Sequence, residues 1–260
     1  MPGRKVIVLK LGGSVLTGED SIQAAVGEVR RWVDGGWRVV AVVSAFEGHT
    51  DRLLASAARF GREPWATAAL VATGEQTSAA VLALALAQAG VSAATLDAAG
   101  LGLATTSIPL DADPVSLHPA AVPNALREHA ALVVPGFIGR DQHARTTLLG
   151  RGGSDLTALF IAARLGARCR LVKDVPGLFE RDPRLDPAAR LYRTLSWDGA
   201  LQLDGGIVQH KAVRLAKAHR LAFEVAALGA DEATRVGDFT PEFAPLAREP
   251  ASHGREEVAV

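Results

Sequence analysis

Cysteine is almost missing: Cys169 stands alone in 260 residues. That excludes an internal disulfide framework and fits a reducing compartment. An excess of charge of one sign is missing too, with Lys+Arg 28 against Asp+Glu 28. No global field exists to draw nucleic acid or an anionic membrane surface, so neither is expected as a partner. Long apolar runs are short or broken. Val6 to Leu9 is too brief before Lys10 to be a signal-peptide core. The region Ala66 to Ala89 is interrupted by Gly74, Glu75, Gln76 and Thr77, so no membrane span is expected there. The seven histidines are scattered without a His-x-x-x-His pair, and no resident metal site is expected. The P-loop, the Gly-x-Gly-x-x-Gly turn and the Gly-x-Ser-x-Gly elbow are all absent. The expectation is a soluble, cytoplasmic protein.

What is present is an alternation of apolar runs and amphipathic stretches, with 48% hydrophobic residues. Lys5 to Leu11 and Trp37 to Val43 are continuous aliphatic runs, the mark of strands buried on both faces. Between them Asp20 and Ser21 offer caps for a helix that stops at Gly35-Gly36. Strand, helix, parallel strand opens an α/β sheet. Helices are expected over His49 to Phe60, over Pro64 to Gly90 with a split near Gly74, and over Pro119 to His129. Strands are expected at Val91 to Leu96, Ala131 to Ile138, Arg168 to Val172 and Ala222 to Leu228, with a hairpin across Asp141 to Leu149. Helices at Trp197 to Leu203 and Val208 to Arg220 complete the pattern. The reading is one doubly wound α/β unit of two lobes over residues 1–239, followed by a surface tail over 240–260.

Two glycine-rich stretches carry the chemistry. In Gly150-Arg151-Gly152-Gly153-Ser154-Asp155, the glycines permit turns closed to other residues, and Ser154 or Asp155 is a natural N-cap for the helix that follows. A helix N-terminus beside a guanidinium suits an anion. In Lys10-Leu11-Gly12-Gly13-Ser14, at the end of the first strand, backbone N–H groups can cradle phosphate oxygens while Lys10 neutralises charge. A tight turn with a snorkelling lysine would leave the same residues in place. The Lys10 to Ser14 stretch, with Ser44 to Thr50, Gly136 to Gly139 and Lys173 to Gly177, falls beyond the carboxyl ends of predicted strands, where α/β folds bind ligands.

Taken in order, Lys10 to Ser14, Val42 to Thr50, Gly74-Glu75, Gly136 to Gly139, Thr147 to Asp155, and Lys173 to Gly177 with Asp182-Pro183-Arg184 resemble the blocks of aspartate kinases, members of the amino acid kinase superfamily. The resemblance spans roughly Lys5 to Leu228 and is most specific at Gly150 to Asp155. It implies a three-layer α-β-α sandwich around a mostly parallel sheet, ATP and Mg²⁺ as cofactors, an amino acid as small-molecule acceptor, and a homodimer. It also implies roles. Lys10, Gly12, Gly13 and Ser14 would hold the transferring phosphates. Ser44, Thr50 and Ser154 would line the acceptor side, and Arg151 would clamp an acceptor carboxylate. Glu75 and Asp155 would face the acceptor ammonium or hold nearby cations. Asp174, Phe179, at a usual tyrosine, and Arg184 would contact the nucleotide. The reaction implied is phosphorylation of L-aspartate to 4-phospho-L-aspartate. A different small acid as acceptor, or a catalytically weak sensing homologue, remains open beside it.

The chain departs from that pattern at four places. Leu11 and Ser14-Val15 stand where Phe and Thr-Ser are usual, and Lys173 replaces a common threonine. Ile207 and Lys211 occupy the lysine and proline of Gly-Ala-Lys-Val-Leu-His-Pro, so Lys173 or Lys211 is a candidate for the lost positive charge. Roughly 30 residues follow Leu228, too few for the paired ACT modules of aspartate kinases. The expectation is that lysine and threonine do not inhibit by that route.

Overall fold

The computed structural model describes residues 5–61 and 63–245. The first half runs β1 (Val6–Leu11), α1 (Ile22–Asp34), β2 (Arg38–Val43), α2 (His49–Ala58), α3 (Pro64–Gln88) and β3 (Ala93–Thr95). It continues with α4 (Ala98–Leu101), β4 (Ala104–Thr105), β5 (Pro114–Ser116), α5 (Ala121–Glu128), β6 (Ala131–Pro135), β7 (Ile138–Arg140) and β8 (Thr146–Leu148). The second half is α6 (Gly153–Leu165), β9 (Arg168–Lys173), β10 (Tyr192–Ser196), α7 (Trp197–Gln202), α8 (His210–Ala218), β11 (Phe223–Ala227), β12 (Thr234–Gly237) and β13 (Glu242–Phe243).

Nine strands form one sheet in the order β13-β10-β12-β11-β9-β1-β2-β6-β3, and β5-β4-β7-β8 form a second. The stretch from β11 to β3 is parallel throughout. Of these strands, β1, β2 and β6 are buried on both faces, which is why they read as aliphatic runs rather than as alternating patterns. Successive residues nonetheless serve different layers. Val8, Val40, Val42, Cys169 and Leu171 join the core beneath α6 and α8, whereas Ile7, Leu9, Leu11, Val39, Ala41 and Val172 join the core beneath α1 and α3. The result is the expected α-β-α sandwich. Burial pushes the Cys169 thiol well above its ordinary value, leaving it an inert core residue.

Four expectations need correction. The helix over Pro64–Gln88 is continuous: Gly74 does not break it but lets α3 approach the loop after β2, where an added Cβ would lie 3.0 Å from that of Ala45. At 25 residues α3 is long and apolar enough to cross a membrane by length and composition, but here it packs against α1, α2, β3, β6 and β8. The run Ala131 to Ile138 is two strands in two sheets, because the chain turns at Gly136-Phe137, where Phe137 has φ 67°. Neither Ser154 nor Asp155 caps α6. Gly152, at φ 73°, is the cap, and the polar pair lies inside the first turn. Finally, β13 returns to pair with β10, so sheet structure extends past residue 239; most of the expected tail, 246–260, lies outside the described residues.

Candidate active site

The register of two neighbouring strands assembles the centre of the site. Lys10 on β1 pairs with Leu171 on β9, and Lys173 lies two residues further along. A two-residue step keeps the same face, so both lysines emerge on the side of α6. There they meet Asp155. Lys10 Nζ is 3.0 Å from Asp155 Oδ1, and Lys173 Nζ donates to Oδ2 at 2.8 Å and to Oδ1 at 3.2 Å. All three are buried.

Burial lowers the affinity of Lys10 for its proton, and the Lys173 charge adds to this. Asp155 opposes both, and the Lys10 pKa falls to about 8. Burial on its own would raise the Asp155 carboxyl, but the two ammonium groups outweigh it and hold it below its ordinary value. Two cations around one carboxylate leave a buried positive charge without a counterion. Such a charge is costly in a protein interior and favours an incoming anion.

The glycine turn is continuous with this charge. Val15 N and Leu16 N donate to Gly12 O, closing the turn, while the N–H groups of Gly13 and Ser14 have no partner among the described residues. A Cβ on Gly12 would lie 2.7 Å from Lys10 Nζ, so the ammonium rests directly over this backbone and a side chain there would displace it. Next to it, an added Cβ at Gly13 would touch Ala45 O at 3.4 Å, so the turns after β1 and β2 are neighbours.

The β2 turn is held from α3. Glu75 Oε1 accepts from Ala45 N at 3.2 Å, and Ser78 Oγ donates to Ser44 O at 2.7 Å. The other Glu75 oxygen, Oε2, is buried and has no partner among the described residues. Burial raises the Glu75 pKa to about 7, against the contrary pull of the Ala45 N–H. Ser78 was not legible as a site residue. Its one signal is its place three residues after Glu75, on the same face of α3.

Ser154 packs against Gly136, where an added Cβ would lie 2.7 Å from its own. Thr50 lies in the first turn of α2, half-buried like Ser44. Arg151 is exposed in the turn before α6 and has no ion-pair partner among the described residues. The structure therefore brings Lys10, Gly12, Gly13, Asp155 and Lys173 into one cluster, with Ser44 and Glu75 beside it through Ala45.

The remaining candidates occupy the rim. Asp174 is exposed immediately after Lys173, and Phe179 is half-buried in a bridge with Leu191. Arg184 pairs with Asp182 at 2.8 Å, and the carboxylates of Asp174 and Asp204 add to its retention of charge. Lys173 thus supplies a cation at the cluster. Lys211 does not, being held by Asp111, Asp113 and two carbonyls.

A sandwich whose central parallel strands end in lysines and glycine turns is an α/β protein built to receive an anion. The model of the amino acid kinase family matches residues 5–226, and the chain belongs to that family. It is 35% identical over 226 residues to an aspartokinase of Geobacillus stearothermophilus, covering 85% of this chain and 56% of that protein. The crystal structure of aspartate kinase from Synechocystis superposes with a TM-score of 0.79 at 33% identity, over 94% of this chain and 40% of that one. E. coli aspartokinase III in complex with aspartate and ADP shares the fold, with a TM-score of 0.77 at 24% identity over 91% of this chain and 65% of that one. The chain spans about half the length of the curated relatives it matches.

Proposed function

We propose that this chain transfers the γ-phosphoryl group of ATP to the side-chain carboxylate of an amino acid, with L-aspartate giving 4-phospho-L-aspartate. The observation that carries the reading is the buried Lys10–Asp155–Lys173 cluster beside the Gly12-Gly13 turn. It is supported by the similarity to aspartokinases.

A carboxylate is already nucleophilic at neutral pH, so the reaction needs no general base. One carboxylate oxygen attacks the γ-phosphorus in line, the bond to the β-phosphate oxygen breaks, and ADP leaves. The difficulty is the crowding of anions, and it is met by positioning and by fixed positive charge. Lys10 and Lys173 neutralise the transferring and departing phosphates, with the N–H groups of Gly12, Gly13 and Ser14 as further donors. Asp155 holds both ammonium groups in place. On the acceptor side, Arg151 grips a carboxylate in a two-pronged contact, Glu75 receives the ammonium, and Ser44, Thr50 and Ser154 line the pocket. Asp174, Phe179 and Arg184 border the nucleotide. The N-terminal lobe is the acceptor side and the C-terminal lobe the nucleotide side.

Among the described residues no three His, Cys, Asp or Glu side chains gather in a way that could hold a metal ion. Mg²⁺ would arrive on the nucleotide phosphates, a mode of binding that asks only one or two carboxylates of the protein. The working form is a cytoplasmic homodimer acting on small molecules, without nucleic acid or membrane partners.

The test is ADP release from ATP with a panel of amino acids and small acids, with hydroxylamine present to trap acyl phosphate. L-aspartate should give both ADP and a hydroxamate. ADP release without hydroxamate from any acid would sink the reading.

A further inference from the structure

Lys211 stands at the position of a proline in the pattern this chain resembles, and its surroundings are specific. Its Nζ lies 2.7 Å from Asp111 Oδ1 and 3.1 Å from Asp113 Oδ1, and donates to Ala112 O at 3.0 Å and Leu149 O at 3.1 Å. The residues it holds belong to the loop between β4 and β5 and to the turn that leads into α6. That loop is already joined to β8, through Leu148 N donating to Pro109 O and Ala112 N donating to Leu148 O, both at 2.8 Å. Asp111 is so close to the glycine turn that a Cβ on Gly150 would collide with its carboxylate. The next residue is Arg151. A neighbour of Lys211, Gln209, closes the other side of the turn, with its Cβ 2.7 Å from where a Cβ on Gly152 would lie.

Asp111 therefore borders the turn that carries Arg151, with Asp113 beside it on the same ammonium, and Arg151 has no ion-pair partner among the described residues. Left uncompensated, the two carboxylates would compete with any acceptor carboxylate for Arg151 and repel it. We infer that Lys211 is a positioning residue: it neutralises Asp111 and Asp113, fixes their loop against Leu149, and so keeps Arg151 available to the carboxylate of the acceptor. The inference rests on Arg151 as the acceptor clamp. It deepens that reading by giving the acceptor's affinity a source in α8, on the opposite lobe.

The experiment is steady-state kinetics of the full chain with ATP and L-aspartate, with thermal melts of each variant. Lys211→Gln keeps an N–H donor for a carbonyl and loses only the charge. It should raise the KM for L-aspartate roughly tenfold at low salt, and less at high salt, where surface charges are screened. Its kcat and KM for ATP should stay within about twofold of the parent. Lys211→Arg should retain the parent KM. Adding Asp111→Asn and Asp113→Asn to Lys211→Gln should restore it, which no loss of packing would allow. A parental aspartate KM in Lys211→Gln overturns the inference, and so does a raised KM that the two asparagines fail to restore. If Lys211→Gln does not fold, Asp111→Asn/Asp113→Asn alone decides: an aspartate KM at or below the parent value supports the inference, and a higher one overturns it. Arg151→Ala separates the two levels. An aspartate KM that it leaves unchanged removes the acceptor clamp and this inference together. A KM raised by Arg151→Ala but not by Lys211→Gln removes this inference alone.

Discussion

Lys10 keeps its proton less firmly than a free lysine, with a pKa of about 8 because burial and Lys173 outweigh Asp155. The cation is what a phosphate needs, so kcat/KM for ATP should fall as the pH rises through about 8, where free protein loses that charge. Bound nucleotide adds negative charge and holds the proton, so kcat should fall only at higher pH. A kcat/KM profile flat to pH 10 would remove Lys10 from the phosphate site. Lys10→Ala should leave the fold intact by circular dichroism and reduce kcat by about 10²- to 10³-fold, the loss seen when one preorganised donor is removed.

Glu75 runs in the other direction. The unfolded chain releases its proton near 4.5, while the folded chain holds it to about 7. Folded protein thus binds more protons in that window, and the stability this provides is complete below the lower value and lost as the pH rises through the upper one. Thermal melts of Glu75→Gln against the parent should show the variant gaining in relative Tm between pH 5 and 8. Parallel curves would mean that Glu75 is ionised throughout.

At the scale of elements, Gly152 is the hinge of the site. It caps α6 with φ 73°, and an added Cβ would lie 2.7 Å from that of Gln209. Gly152→Ala should cost roughly 1–2 kcal/mol of stability for the left-handed backbone alone, measurable by urea denaturation. It should also weaken acceptor binding, because Arg151 lies in the same turn.

Central strands are legible where burial on both faces writes an aliphatic run, as in β1 and β2. The same signal misleads at Ala131 to Ile138, where the apolar run continues on both sides of Pro135-Gly136, the turn dipeptide at which the chain leaves one sheet for another. Gly74 was read as a break in a helix because glycine lowers helix propensity; the close approach of Ala45 is a tertiary reason invisible locally. The short strands β4, β5, β12 and β13 carry too few residues to declare a period.

At the scale of the whole molecule, the site is a meeting of distant segments, and its legibility was uneven for that reason. Lys10, Gly12, Gly13 and Asp155 lie in motifs with a chemical rationale. Lys173 is visible from its place at the carboxyl end of a predicted strand and as a departure from a pattern, but its contact with Asp155 needs the register of β1 against β9. Ser78 has no motif at all. A homodimer is the expected assembly: sedimentation velocity should give a particle of twice 27.1 kDa. A single species of that mass unpaired would contradict it.

The alternation of layers along β1 has an implication for how this protein tolerates genetic change. Inserting one codon between Val6 and Lys10 would exchange the two layers for every later residue of the strand, sending the ammonium toward α1 and an aliphatic side chain toward Asp155. Inserting two would restore the facing but carry the ammonium ~6.6 Å along the strand, out of reach of Asp155. Around the reactive end of this sheet, facing and length are fixed together, and lineages should accept neither insertion.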